Sequence, residues 1–224
     1  MRANADSTVV NPDVIYMDNH LLVVRKPAGM LVQGDRTGDR SLLEDGKAYV
    51  KAAFNKPGDA FLGLVHRLDR PTSGVMVFAR TSKAAARLSE QFRAHRIGKV
   101  YWALVQGKTP REGRMADMLL RTGPSSTVSD KGREAVLGFR RLRFERGISW
   151  VEVRPKTGRH HQIRVQFAHR GHPVLGDLRY GARIGFPEKS LALHARALTL
   201  SHPTRKEEMT FQAAPEAFWP SRFR

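Results

Sequence analysis

Read for its alternation of apolar and polar positions, the chain divides into short segments joined by brief turns. "VIYMDNHLLVVRKPAGM" (14–30) sets two apolar runs around an Asp18-Asn19 turn and predicts a pair of strands closed by "KPAG". "SLLEDGKAYVKAAFN" (41–55) is rich in helix formers and opens on Ser41, a capping residue, although Gly46 weakens it. "GVMVFAR" (74–80) is a β-rich apolar run and predicts a buried strand. The clearest helix is "SKAAARLSEQFRAHR" (82–96), with Ser82 as its cap, Leu88 and Phe92 four apart, and Gly98 after its end.

The second half of the chain is richer in strand patterns. "VYWALVQG" (100–107) predicts a strand stopped by Gly107, and "AVLGFRRLRF" (135–144) and "ISWVEVRP" (148–155) alternate as antiparallel strands with one wet face. Between them, residues 122–132 are rich in Gly, Ser and Pro and predict a mobile loop. "RHHQIRVQFAHRG" (159–171) fits a helix, with Ile163 and Phe167 on one face and Gly171 as its stop. "LALHARALTLSHP" (191–203) and "EMTFQAAP" (208–215) supply two final strands. Strands outnumber helices and the links are short, so the expected fold class is α+β with a mainly antiparallel mixed sheet and flanking helices. Residues 1–12 show no pattern and are expected to form a tail before one domain, 13–224.

Charge changes this picture more than composition does. The chain has 224 residues, 41% hydrophobic and 27% charged, the balance of a globular protein with a real core. Residues 1–60 hold eight Lys and Arg against eight Asp and Glu, while residues 61–224 hold 31 against 13, which supplies the whole net charge of +18. Such a lopsided distribution points to a polyanion, nucleic acid first, because Lys and Arg neutralise phosphates and release counterions. A membrane partner is not expected: the longest aliphatic runs, such as "LLVV" at 21–24, are far too short to span, and no basic amphipathic helix has a strong apolar face. With no cysteine and no secretory h-region, the expected setting is the cytoplasm.

Several familiar chemistries are missing. The sequence has no phosphate loop, dinucleotide fingerprint or nucleophile elbow. His160, His161, His169 and His172 are close in sequence, but no acid stands among them and three arginines would repel a dication, so no metal is expected. The unusual stretch is "GLVHRLDRPTSGVMVFART" (63–81), where Asp69 sits between Arg67 and Arg70. A carboxylate in the basic part of a phosphate-binding protein repels the ligand, a cost that makes sense if the acid performs chemistry. Thr72, Ser73 and Gly74 are expected to close a tight turn through side-chain-to-backbone bonds and so fix Asp69.

"HRLDRPTSGVMVFAR" closely resembles the H-R-L-D-x-x-T-S-G motif of pseudouridine synthases of the RluA type. The resemblance continues in order through "LLVVRKPAGMLV", "KVYWALVQG", "TGRHHQIRVQFAHRGHPVLGDLRYG" and "LALHARALTLSHP". Gln166 stands where that family usually has His, and His160 where it usually has Thr or Ser. The S4 domain that many members carry is not seen in this chain. The resemblance implies a catalytic domain with a central RNA-binding cleft, acting as a monomer without metal or cofactor on a uridine of ribosomal or transfer RNA.

It also implies residue roles. Asp69 becomes the essential carboxylate, which either attacks the nucleotide or takes a sugar proton. Arg164 becomes its partner, orienting it and favouring its charged form. Tyr101 becomes the tyrosine that stacks on uracil and participates in proton removal from C5. Arg67 is implied to fill the space left by the flipped base, with His66 either assisting or supporting the loop. Leu193 is expected to touch the uracil, and Lys26, Lys83, Arg87 and Arg96 are candidates for phosphate contacts.

Overall fold

The computed structural model describes residues 11–55 and 57–221, so most of the expected tail lies outside the described residues. Eleven strands form one mixed sheet: β1 (Asp13–Met17), β2 (Leu21–Lys26), β3 (Gly63–Leu64), β4 (Ser73–Ala79), β5 (Gly98–Gln106), β6 (Glu112–Thr122), β7 (Ser125–Val128), β8 (Arg133–Glu145), β9 (Ile148–Pro155), β10 (Leu193–Ser201) and β11 (Glu208–Gln212). The main path runs β1-β2-β4-β10-β5-β9-β8-β6-β7, with β3 on β4 and β11 on β10. All strand pairs are antiparallel except β4 with β10. Three α-helices accompany the sheet: α1 (Leu42–Ala53), α2 (Ser82–Arg93) and α3 (Gln162–His169). The α+β class and mainly antiparallel sheet expected from the sequence are therefore present.

The parallel pair lies inside the sheet, away from both edges, and it explains one glycine. His194 pairs with Ser73 and Ala195 with Gly74. Gly74 has φ +121°, and a β-carbon there would run into the Ala195 main chain. The glycine thus permits β10 to approach β4 directly after the loop that carries Asp69.

Two cores flank this join. One gathers β2 and β4 with α1, α2 and the later part of β10, around Leu22, Met76, Phe78 and Leu88. The other gathers β5, β8 and β9 with α3, around Leu104, Leu137, Phe167 and Trp219. Tyr101 of β5 packs against both.

Several local expectations change. Thr81, not Ser82, caps α2: its backbone is extended and its Oγ1 accepts the Ala84 amide at 3.1 Å, so Ser82 is already helical. The expected loop at 122–132 contains β7, which returns along β6 after a turn at Gly123 with φ +58°. The helix expected over 159–171 narrows to Gln162–His169, because the Gln162 side chain holds the preceding turn instead. Its Oε1 accepts from Thr157 Oγ1 at 2.7 Å and from the Arg159 amide at 3.0 Å.

Candidate active site

The residues singled out in sequence converge on a cleft of about 620 Å³ at the seam between the two cores. Asp69, Arg67, His66, Tyr101, Arg164 and Leu193 all line it, and Lys26 does not. Among the described residues lining the cleft, Asp69 is the only carboxylate, facing five arginines, Arg67, Arg93, Arg121, Arg159 and Arg164, and Lys99, whose pKa burial lowers.

The Asp69 loop spans from β3 to β4 and is held chiefly by main-chain groups. The Thr72 amide donates to the Asp69 carbonyl at 3.0 Å, closing the turn. The Arg70 carbonyl accepts from the Gly29 amide at 2.8 Å and from Lys26 Nζ at 2.9 Å, and the Leu191 amide donates to the Pro71 carbonyl at 3.2 Å. His66 ties down the loop's entry, because its Nε2 accepts the Val77 amide at 3.0 Å while the ring stacks on Phe92. Burial, with a smaller contribution from Lys99, pushes the His66 pKa to about 3 and keeps the ring neutral. The expected side-chain bonds from Thr72 and Ser73 to this turn do not form. Thr72 Oγ1 is buried without a partner, and Ser73 Oγ points to His194 and Glu216.

Arg164 reaches Asp69 from the other core. It lies in the first turn of α3, whose Ile163 and Phe167 are buried in that core. Its Nε and Nη2 grip both oxygens of Asp177, at 2.6 and 2.9 Å, and its Nη1 donates to Asp69 Oδ2 at 3.0 Å. Burial opposes the guanidinium charge, but the Asp177 bonds and the charges of Asp177 and Asp69 outweigh it and raise its pKa. Asp177 is fully buried, so one carboxylate neutralises Arg164 and aims it at a second.

His161 stands between these groups in a left-handed conformation, φ +56°, which is uncommon for a side chain of this size. Its Nε2 lies 3.4 Å from Asp69 Oδ2 and its Nδ1 lies 2.7 Å from the Tyr180 hydroxyl. Tyr180 also accepts the Ser126 amide at 2.9 Å, so its own proton points to His161 Nδ1 and the imidazole N–H faces Asp69. Burial pushes the His161 pKa to about 4, against the pull of Asp69 and with a further push from Arg164. His160 stacks on His161 at 3.7 Å and bonds Ser126 Oγ through Nδ1. Ser126 belongs to β7, the strand hidden in the expected loop.

Tyr101 is protonated in this setting: burial first, and the Asp69 charge second, push its phenol well above the ordinary value. Lys26, expected at phosphate, is instead fully buried, and its Nζ is bonded to the carbonyls of Pro27 and Arg70. Burial lowers its pKa to about 7. Lys83, Arg87 and Arg96 lie outside the cleft lining, on or just after α2; Arg87 bonds the Pro203 carbonyl and Arg96 pairs with Glu90. The four histidines do not converge: His172 bonds the Gln106 carbonyl and His169 is exposed at the end of α3. Gln166 is buried against Asp117 and Ala135.

Residues 20–169 match the RNA pseudouridylate synthase family, and the chain belongs to it; it is an RNA pseudouridine synthase, an isomerase. The chain is 35% identical to the ribosomal large subunit pseudouridine synthase D of Pseudomonas aeruginosa, an alignment covering 92% of this chain and 69% of that one. It is 32% identical to the tRNA pseudouridine synthase C of Vibrio parahaemolyticus, across 96% and 94% of the two chains. The fold is also similar to that of human RNA pseudouridylate synthase domain containing 4, with a TM-score of 0.80, 25% identity, and coverage of 92% and 89%.

Asp177, Tyr180, His161 and Lys99 received no role from the sequence reading. The first three stand in "TGRHHQIRVQFAHRGHPVLGDLRYG" and the last in "KVYWALVQG", so the motifs contained them without showing what they touch.

Proposed function

We propose that the chain converts a uridine of ribosomal or transfer RNA to pseudouridine, with Asp69 as the essential carboxylate. The observation that carries this reading is the arrangement of one ionisable acid, held by a buried arginine, in a cleft whose other charged groups are cations. A phosphate-binding surface alone has no use for that acid. The names of the bacterial relatives, one ribosomal and one a transfer RNA enzyme, support both RNA classes as substrates.

In the reaction the N1–C1′ bond breaks, the uracil turns, C5 bonds to C1′, the C5 proton leaves and N1 takes up a proton, so that no net proton is gained or lost. Asp69 either attacks the nucleotide or accepts a sugar proton, and each role needs an ionised oxygen. Both contacts to its side chain fall on Oδ2, so among the described residues Oδ1 is unengaged. Arg164 fixes the direction of the carboxylate, and the His161 N–H faces the same oxygen. Tyr101 stacks on the uracil. As a protonated phenol it accepts the C5 proton only by passing its own onward, and Asp69 is the acceptor within electrostatic reach. Leu193 supplies an apolar wall. Arg67, exposed at the edge of the cleft, occupies the gap left by the flipped base, which costs a few kcal/mol to unstack.

Release of tritium from RNA carrying 5-tritiated uridine tests this reading, because isomerisation frees the C5 hydrogen. The wild-type chain is expected to release it, and Asp69→Asn to release none while binding RNA within a few-fold of wild type. Turnover by a clean Asp69→Asn preparation would overturn the assignment.

A further inference from the structure

Ser73, His194 and Glu216 come from three distant parts of the chain and meet below the surface, Ser73 and His194 buried and Glu216 partly exposed. Ser73 opens β4 four residues after Asp69 and is 1% exposed; His194 is wholly buried. Ser73 Oγ lies 2.8 Å from His194 Nδ1 and 2.8 Å from Glu216 Oε2. His194 Nε2 lies 3.0 Å from the Ala213 carbonyl. The other oxygen of Glu216, Oε1, accepts the Ala28 amide at 3.0 Å.

A carbonyl only accepts, so His194 Nε2 carries a hydrogen. Ser73 Oγ bridges the imidazole and the carboxylate and donates its one hydrogen to Glu216 Oε2. Burial holds the His194 pKa below its ordinary value, against the pull of the Ala213 carbonyl and Glu216. Leaving these buried groups unpaired would be costly.

The position of the network gives it a use. Glu216 grips Ala28, and the next residue, Gly29, donates its amide to the Arg70 carbonyl of the Asp69 loop at 2.8 Å. Ser73 ends that loop at its other side. None of the three side chains lines the cleft, so each acts on the reaction only through the main chain it holds. Lys26, whose Nζ also bonds the Arg70 carbonyl, is within electrostatic reach of Glu216 and Asp69.

We propose that Ser73, His194 and Glu216 are positioning residues, a hydrogen-bonded clamp through which the segment after β11 fixes the two turns that present Asp69. The clamp rests on the role given to Asp69 above, but its geometry can be tested separately. Glutamine at 216 can replace each of these bonds. Its carbonyl accepts Ala28, its amide donates to Ser73 Oγ, and the Ser73 hydroxyl donates to a neutral His194.

The test uses the full chain, single-turnover tritium release from 5-tritiated ribosomal and transfer RNA of cells lacking the protein, and amide exchange at Ala28 and Gly29. Glu216→Gln is expected to stay within about threefold of wild type, since every hydrogen bond has a replacement. Ser73→Ala and Glu216→Ala are expected to slow the rate by about tenfold or more, with RNA affinity within about threefold, as for loss of one or more buried hydrogen bonds. Glu216→Ala also speeds Ala28 exchange. If it does not fold, Ser73→Ala, which removes a single hydroxyl, decides the rate prediction. A Glu216→Gln variant as slow as Ser73→Ala, or a Ser73→Ala variant at the wild-type rate, overturns the clamp. So does unchanged Ala28 exchange in Glu216→Ala, whatever Asp69→Asn does; an active Asp69→Asn enzyme instead sinks only the role of Asp69.

Discussion

On the β2–β4 side of the molecule the loop bearing Asp69 is fixed mostly by main-chain groups, whereas on the β5–β9 side Arg164 is fixed by a buried carboxylate. The first arrangement spreads its load over the carbonyls of Asp69, Arg70 and Pro71, and the side chains of Arg67 and Asp69 face the cleft. The second concentrates it in Asp177, which makes two of the three bonds to Arg164. A carboxylate that must meet a substrate is thus held by its backbone, and a cation that must not wander is held by its head group. Single substitutions should therefore be far more damaging on the second side.

Asp177→Asn offers the largest contrast. Neutralising one partner of a buried pair leaves the guanidinium poorly compensated and costs about 3–5 kcal/mol. At about 2–4 °C per kcal/mol for a domain of this size, melting is expected about 6–20 °C lower. Thermal denaturation checks this; an unchanged midpoint would show that Arg164 does not depend on Asp177.

Acid should affect both sides, through different histidines. His161 and His66 have folded pKa values of about 4 and about 3, below the ordinary imidazole value. In that window the unfolded chain binds more protons than the folded one. Their contribution to stability is full above about pH 6.5 and declines as pH falls toward those values. Urea midpoints at pH 7 and pH 4.5 should show a smaller acid loss in His161→Gln than in wild type. An equal loss would mean that His161 is charged in the folded protein.

The smallest effects belong to the cations. If about five to eight phosphates are contacted, log affinity should fall against log salt with a slope of about −4 to −6. Arg159→Ala, in the cleft, should flatten that slope by about one, and Lys83→Ala, outside it, should leave it unchanged. Equal slopes for the two variants would remove the distinction between cleft and outer surface.

The sequence made the proposed reacting groups legible and their supports much less so. Asp69 stands out because an acid between arginines is costly, and Arg164 and Tyr101 stand out through motif position. Lys26 was misplaced because a lysine beside a Pro-Gly turn looks solvated, and only the fold brings the Arg70 carbonyl to it from 44 residues away. β7 was hidden because Ser125, Ser126 and Thr127 have loop composition; its pairing with β6 and the Tyr180 bond to Ser126 are long-range facts. Strands such as β4, buried along its whole length and apolar after Ser73, were legible because burial on both faces leaves a local signature.

The central claim is that Arg164, from one side of the seam, holds the carboxylate presented by the other. Arg164→Lys keeps the positive charge but loses the fork that serves Asp177 and Asp69 together. Single-turnover tritium release at saturating enzyme, measured beside RNA affinity, tests it directly. A rate lower by about a hundredfold or more with affinity within a few-fold is expected, since a misplaced catalytic group costs rate rather than binding. A wild-type rate, or a loss confined to affinity, would contradict the account and make Arg164 an RNA ligand.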